Sequence, residues 1–464
     1  MAKQLLSVVL LVLVLVVCTP QSAVWGNDFG VLEPGFRGST QKSACNMVKD
    51  AGIGWCRKEV RWNKIVDDAG TFDWNKVDKQ IKKILNREIK ILLTLRSVHE
   101  LFAPGSGEVD LGYKKRWKSA PPAPEYLDEY EDFVRQVVER YDGDGLSDAS
   151  FITAEKSIKH WQVEKEPGWK PDESSHYWEG TAADYVNHYL VTYAAIKAAD
   201  QEATVALSAF HHGAITYYID HGNSFLLQVL SLLDQNGGDF DIFDYHLLGG
   251  DYKDFSEEYR AIESMLGTYQ FSDKPIWMTE IAVNKNTIDP YYTTEEYNSF
   301  LAKEFVRRYI RAFGRGVKKV FWVKFADYKN ATWNTPMEPE DFERFRGLTE
   351  DDLTPKPVYY TYKLLIEKKG GKKVRRERAL ESHPDTWVYS MGKKAANPVY
   401  VMWYDDGGGG SAEANISLPW NPVLVTRIIT EPGVTEPETE VRTLNAGGEL
   451  VITLDDSPIF VEEY

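Results

Sequence analysis

Between about residue 27 and residue 370, short apolar runs rich in β-branched residues alternate with longer stretches whose apolar positions recur at spacings of three and four. The first kind of run, bounded by Gly, Pro, Asn or Asp, signals a strand; the second signals an amphipathic helix. Eight strands are predicted, over 28–32, 53–62, 89–97, 158–167, 203–212, 241–248, 274–283 and 317–327. Helices are predicted between them, including 124–141, 182–199, 225–236, 257–269 and 294–313. Eight units of strand then helix fit a closed (β/α)8 TIM barrel, an α/β fold, better than an open doubly wound sheet, for which about six strands and a glycine fingerprint are expected.

After residue 370 the pattern changes to short strand-like runs at 386–391, 399–404, 414–418, 423–429, 439–444 and 450–454, separated by Gly, Pro and Asp. Such alternation without a long helix predicts a C-terminal β-sandwich domain. The expected organisation is a segment 1–26, a barrel over 27–370 and a sandwich over 371–464, consistent with a barrel of about 250 to 350 residues plus a smaller partner. The basic run from Lys368 to Arg376 falls at the junction and reads as a solvated linker or helix end rather than a binding patch. Two long segments, 99–123 and 168–180 (the latter with Trp169, Tyr177 and Trp178), are expected as loops over the C-terminal rim, where barrels hold substrate; plain loop packing is the other reading.

Composition narrows the partners. A formal charge of −16 argues against nucleic acid, which needs clustered Lys and Arg on a basic face. The 14 Trp and 26 Tyr exceed what packing usually requires and offer ring faces as platforms for sugars, although core packing accounts for most of them. Lys3 followed by the apolar stretch from Leu5 to Val17 reads as a secretory signal peptide, too short to span a bilayer comfortably. The expected location is secreted or periplasmic, with no stable membrane insertion after cleavage. Lipid anchoring at Cys18 is a weaker alternative, because Val17 stands where a small residue is expected, and an uncleaved anchor is another. Cys45 and Cys56 would remain, either as a disulfide or as ordinary buried thiols. No Cys/His set with zinc spacing and no glycine-rich phosphate loop is present, so neither a metal nor an organic cofactor is expected.

Two motifs carry candidate chemistry. Trp161-Gln162-Val163-Glu164-Lys165-Glu166-Pro167 and Pro275-Ile276-Trp277-Met278-Thr279-Glu280 are apolar runs that each end in a carboxylate, at predicted strands four and seven. Those strands face one another across a barrel mouth, so Glu166 and Glu280 can converge despite their separation in sequence. Either alone would be read as a rim salt bridge. Together they form the pair needed to hydrolyse a glycosidic bond, one group delivering a proton and one meeting the oxocarbenium-like carbon.

The stretch from Ile158 to Pro167 resembles the strand-four motif of the clan A retaining glycoside hydrolases, which ends Asn-Glu-Pro, and Pro275 to Glu280 resembles their strand-seven nucleophile motif. Gly54-Trp55-Cys56-Arg57 with Trp62, then Gly70-Thr71-Phe72-Asp73-Trp74 and Asp78, is similar to their second strand and following helix. Lys90 to Leu95 looks like their third strand, and Pro355-Lys356-Pro357 with Tyr359 and Tyr360 like the start of their eighth helix. The likeness covers nearly all of 27–370 and is nearest the xylosidase and iduronidase-like branch, whose members also carry a β-sandwich. It implies Glu166 as general acid/base, Glu280 as nucleophile, and Arg57 as the cation keeping Glu280 ionised. It also implies His246 and Trp322 as the lining of the sugar subsite, and an oligo- or polysaccharide as substrate.

Two positions depart from that pattern: Lys165 replaces the Asn before the acid, and Leu248 replaces a Tyr two residues after the strand-six His. A lysine beside Glu166 lowers that carboxyl's pKa, against the needs of a general acid. Three explanations compete. Lys165 binds an acidic or sulfated substituent of the substrate; it points away and pairs with Glu164 or a loop carboxylate; or the site has lost turnover. The sequence therefore supports a secreted retaining glycosidase, with a catalytically impaired carbohydrate-binding scaffold as the alternative and a barrel hydrolase of non-sugar substrates as a third reading.

Overall fold

The computed structural model describes residues 26–464 except 33–38, 111–114, 171–172, 175–176, 284–287, 381–382 and 393–396. The expected signal segment, with Cys18, lies outside the described residues apart from its final glycine. No helix among the described residues is long and apolar enough to cross a membrane.

Eight parallel barrel strands occur in chain order as Gly26–Leu32, Ile53–Arg61, Lys90–Arg96, His160–Val163, Thr204–Ala206, Phe243–Leu247, Ile276–Ile281 and Lys319–Trp322. Each pairs with the next, and the first pairs with the eighth in the register Phe29↔Val320. The ring closes through the fifth strand, which breaks after Ala206 and resumes at Phe210–His211: Ala206 bridges to Ile242 and Phe210 aligns with Tyr245. That interruption and the early end of the fourth strand at Val163 differ from the continuous 158–167 and 203–212 predicted.

Strand side chains alternate between inner and outer faces. Trp55, Leu92, Ala206, Ile242, Trp277 and Phe321 form a separate buried cluster that plugs the barrel floor. Gly30 is required there, because a Cβ at that position would lie 2.5 Å from the Phe321 ring. Above the plug the inner positions turn polar, and outside the strands bury aliphatic residues against the helices. The helix Thr294–Arg315 begins with the capping box Thr293/Glu296, and Ala182–Ala199 begins with Thr181/Asp184; each satisfies two donors reciprocally at the helix start.

Several elements escaped the sequence pattern. The expected 99–123 loop contains the hairpin Gly107–Asp110 and Lys115–Lys118, and the helix His212–His221 follows the fifth strand. Cys45 and Cys56 are buried as thiols, Cys56 Sγ pointing to Arg57 O at 3.7 Å, so the disulfide alternative is not realised.

The C-terminal region is an antiparallel sheet in the order Val374–Arg376, Thr386–Met391, Val399–Tyr404, Ile459–Glu463, Val423–Arg427, Thr439–Arg442. The pair Ala412–Ser417 and Glu449–Leu454 completes the sandwich, with Val388, Met402, Ile416, Val425, Ile452 and Val461 in its core. The strand Ile459–Glu463, central in that sheet, was not foreseen. The basic run at the junction ends one helix and starts this sheet, Lys368 pairing with Glu462 and Lys369 with Asp28.

Candidate active site

Glu166 follows the fourth strand and Glu280 lies within the seventh, both at the C-terminal end of the barrel. Carboxylate oxygens of the two lie within 4.8 Å of each other and of a His246 ring nitrogen. Like charges held this close raise each other's cost of ionisation, so the surroundings must compensate.

They do so mainly around Glu280. Arg57 Nη1 and Lys165 Nζ each reach its Oε1 at 2.5 Å. Burial opposes the charge on Glu280, as does Glu166, but Lys165, His246 and Arg57 outweigh both and hold its pKa below the usual carboxylate range. Arg57, fully buried, is oriented from behind: Nε donates to Thr94 Oγ1 at 3.1 Å and to Gln162 Oε1 at 2.7 Å. Gln162 Nε2 in turn donates to Asp244, which also accepts from the Thr279 backbone N–H at 3.0 Å and from its hydroxyl. A buried, hydrogen-bonded polar layer therefore underlies Glu166 and Glu280 and fixes their geometry.

His246 defines the protonation of Glu166. The Thr279 hydroxyl proton goes to Asp244, so Thr279 Oγ1 accepts from His246 Nε2 at 3.1 Å. His246 Nδ1 then faces Glu166 Oε1 at 2.7 Å, and one proton must lie between them, on the ring or on the carboxyl. Burial works against ionising Glu166, yet His246, Lys165 and His211 together hold its pKa well below the ordinary range. His211, whose pKa burial drives down to about 4, is an inner-rim neighbour that the sequence did not single out.

The backbone carrying Glu166 is strained. Glu164 and Glu166 have φ of 66° and 43°, the left-handed region that residues with a Cβ avoid. Glu164 is locked there by Arg96 Nε at 2.9 Å, the Ser97 N–H at 2.6 Å and His188 at 3.3 Å. The Glu166 N–H reaches Ala209 O at 3.1 Å across the gap in the fifth strand. The interruption of two strands thus turns Lys165 and Glu166 together into the mouth.

Lys165 does not pair with Glu164, as one expectation had it, because Arg96 and His188 already occupy that carboxylate. It covers Glu280, leaving that residue 2% exposed, and also lies 3.7 Å from Glu59 Oε1. Burial opposes the ammonium charge, but Glu280, Tyr177 and Glu59 raise its pKa further, so it is a fixed cation. Tyr177, from the loop after strand four, is near enough for both Glu166 and Glu280 to act on it, while Leu248 is half-buried beyond the sixth strand.

Trp322 requires a correction. The neighbouring Phe321 points into the barrel floor, so Trp322 faces outward, fully buried against Phe305 and Tyr309 of the helix Thr294–Arg315, its Nε1 donating to Arg346 O at 2.8 Å. It belongs to the core, not to a sugar subsite. His246 is likewise fully buried, and its contact is with Glu166. Trp178, expected on the rim, packs edge-on to Tyr185 and supports the loop from beneath.

Barrel and sandwich together define a fold shared with clan A glycoside hydrolases. A family 39 glycoside hydrolase from Bacteroides cellulosilyticus is similar over 95% of this chain and 82% of its own, with a TM-score of 0.68 at 14% identity. A monomeric β-xylosidase from Caulobacter crescentus matches over 92% of both chains, with a TM-score of 0.60 at 17% identity. An endoxylanase of glycoside hydrolase family 30 from Clostridium papyrosolvens covers 94% of this chain and 96% of its own, with a TM-score of 0.57 at 13% identity. No protein-family model matches the chain, and no curated protein matches its sequence.

Proposed function

We propose that the protein is a retaining glycoside hydrolase that cleaves an O-glycosidic bond by double displacement. The observation that carries this reading is the approach of the Glu166 and Glu280 carboxylate oxygens to within 4.8 Å at the barrel rim. Retaining enzymes hold the two groups about 5 to 5.5 Å apart, whereas inverting enzymes leave about 6.5 to 9.5 Å for a water.

In the first step Glu166 passes the proton it shares with His246 to the glycosidic oxygen. The Glu280 carboxylate attacks the anomeric carbon, and the bond to the leaving group breaks. In the second, Glu166 takes a proton from water, whose oxygen displaces Glu280 and releases the sugar. Arg57 keeps Glu280 ionised throughout, and Lys165 must swing off Oε1 for attack to occur. The substrate class is an oligo- or polysaccharide, and the apolar stretch from Leu5 to Val17 supports an exported enzyme. N-terminal sequencing of the protein recovered outside the cytoplasm tests export; retention of Leu5 in an intracellular product would contradict it.

The hydrolase reading is tested by Glu280→Gln and Glu166→Gln across a broad panel of glycosides, where each should abolish or severely reduce a cleavage seen with the parent chain. Unchanged turnover in either variant contradicts it. A second reading, a carbohydrate-binding scaffold without turnover, is favoured by the Lys165–Glu280 ion pair, which neutralises and covers the nucleophile. Glycan binding without hydrolysis, together with activity gained in Lys165→Asn, would establish that reading instead.

A further inference from the structure

Beside the catalytic pair lies a cleft of about 360 Å³, within the range of small-molecule sites. Its wall presents Arg61, Arg96, Lys115, Arg116 and Lys165 against one carboxylate, Glu59. Five cations at one opening run against the character of a chain whose formal charge is −16. The hairpin Gly107–Asp110/Lys115–Lys118 brings them together, tied down by Arg96 Nη2, which donates to Trp117 O at 2.7 Å and to Tyr177 O at 3.1 Å.

The charges are unevenly answered. Arg96 meets Glu164 and Glu59, Lys115 meets Glu108, and Lys165 meets Glu280. Arg61 has no carboxylate within ion-pairing distance among the described residues. Its guanidinium lies over the Trp117 ring at 3.9 Å, and Nη1 is a buried donor without an acceptor. Burial and Arg96 both press against its charge, with Glu59, Glu100 and Glu108 offsetting them only in part. A buried, unanswered guanidinium donor is costly unless a ligand fills it. Glu59 does not serve that need, since it is already within reach of Lys165, Arg96 and Arg57.

We propose that this cleft is a subsite for an anionic substituent, a carboxylate or a sulfate ester, on the sugar processed at Glu166 and Glu280; the inference rests on the hydrolase reading above. A guanidinium fork matches either planar carboxylate or sulfate oxygens, and a neutral hydroxyl would bring no counter-charge to Arg61. Lys165 belongs both to the cleft wall and to the nucleophile. An anion that draws Lys165 Nζ toward Arg61 frees Glu280 Oε1 and weakens the pull on Glu166, so the charged substrate itself unmasks the site.

The test titrates the intact protein with matched neutral and anionic monosaccharides, glucose against glucuronate and glucose 6-sulfate, and galactose against galacturonate and galactose 6-sulfate, by ligand-observed NMR. At least one anionic sugar should bind about 10-fold or more tightly than its neutral partner, an advantage that Arg61→Met removes and Arg61→Lys partly keeps. A gain confined to uronates assigns a carboxylate, and one confined to sulfated sugars assigns a sulfate ester. No gain for any anionic sugar, or a gain that survives Arg61→Met in a folded protein, overturns the subsite. Glu280-dependent cleavage of neutral aryl glycosides without an anionic preference would sink the subsite and leave the hydrolase reading standing. Arg61-dependent anion binding without Glu280-dependent cleavage of uronide and sulfated aryl glycosides would do the reverse.

Discussion

Two buried charged clusters in this molecule obey opposite rules. Where the sandwich meets the barrel, Arg307 on the helix Thr294–Arg315 bridges Glu304 at 3.2 Å, Asp405 at 3.2 Å and Asp456 at 3.0 Å. Lys303 adds a contact to Asp456 at 2.8 Å, and Arg308 one to Glu304 at 2.9 Å. Every carboxylate there has a cation within reach, and Lys303, Glu304, Arg307 and Arg308 sit on ordinary helical backbone. At the barrel mouth two carboxylates converge on one imidazole, two cations crowd a single oxygen of Glu280, and the acid is held at a positive φ. The first arrangement joins domains; the second stores electrostatic and backbone strain that folding alone would not select.

Substitution at the mouth should separate the two clusters most sharply. Glu280→Gln is expected to lower kcat by roughly 10^4-fold or more, since the covalent step loses its nucleophile. Glu166→Gln should lower it by about 10^2- to 10^4-fold on substrates with poor leaving groups and less on activated aryl glycosides, where proton donation matters little. Steady-state kinetics on a responsive glycoside checks both, and urea unfolding should show the fold retained.

The interdomain cluster should respond in the other way. Arg307→Ala takes a shared, buried cation from three carboxylates that keep, among the described residues, only Arg308, Lys253 and Lys303, and is expected to cost about 2 kcal/mol of stability, read by urea unfolding, with kcat/KM unchanged at temperatures where the variant stays folded. A loss of activity without a loss of stability would erase the distinction drawn here.

Lys165→Asn tests the coupling between charge and chemistry. The ammonium favours the ionised forms of both Glu166 and Glu280, so its removal raises both pKa values. Glu166 then keeps its proton to higher pH and Glu280 ionises later, so both limbs of the kcat/KM profile should move toward alkaline pH. A profile that stays in place would show that Lys165 does not act on the pair.

The smallest expected effect concerns Glu59. Burial raises its pKa, but Lys165, Arg96 and Arg57 bring it down from 4.5 to about 2. A carboxyl whose folded pKa is depressed contributes stability that is present above its unfolded pKa and is lost as pH falls through the folded value. Stability should therefore decline between about pH 4.5 and pH 2, and Glu59→Gln should flatten that decline in acid-titration unfolding.

Much of the barrel was legible because its strands are short runs rich in buried apolar residues and its helices keep a clear three-and-four spacing. Glu166 and Glu280 were legible for a related reason, since a charged residue at the end of a buried apolar run has few places to go except the rim, whereas Arg57, in mid-strand, was reached only through the family resemblance. Trp322 was misread because strand membership was considered without its phase. Phe321 and Trp322 cannot both face inward, and the floor needed Phe321 opposite Gly30. The basic cleft was not visible, since Arg61, Arg116 and Lys165 come from a strand end, a hairpin and a strained turn, and only folding adds their charges together. The hairpin was hidden inside a Gly- and Pro-containing stretch, and the partner of Lys165 is Glu280, which no local spacing reveals.

The central claim, that Glu280 and Glu166 act on one anomeric carbon, is most directly tested by intact-protein and peptide mass spectrometry after incubation with activated 2-deoxy-2-fluoro glycosides, neutral and uronic. A single fluoroglycosyl adduct on the peptide containing Glu280, which disappears in Glu280→Gln, is the predicted result. A label on another carboxylate, or turnover that inverts the anomeric configuration with no adduct, would contradict it.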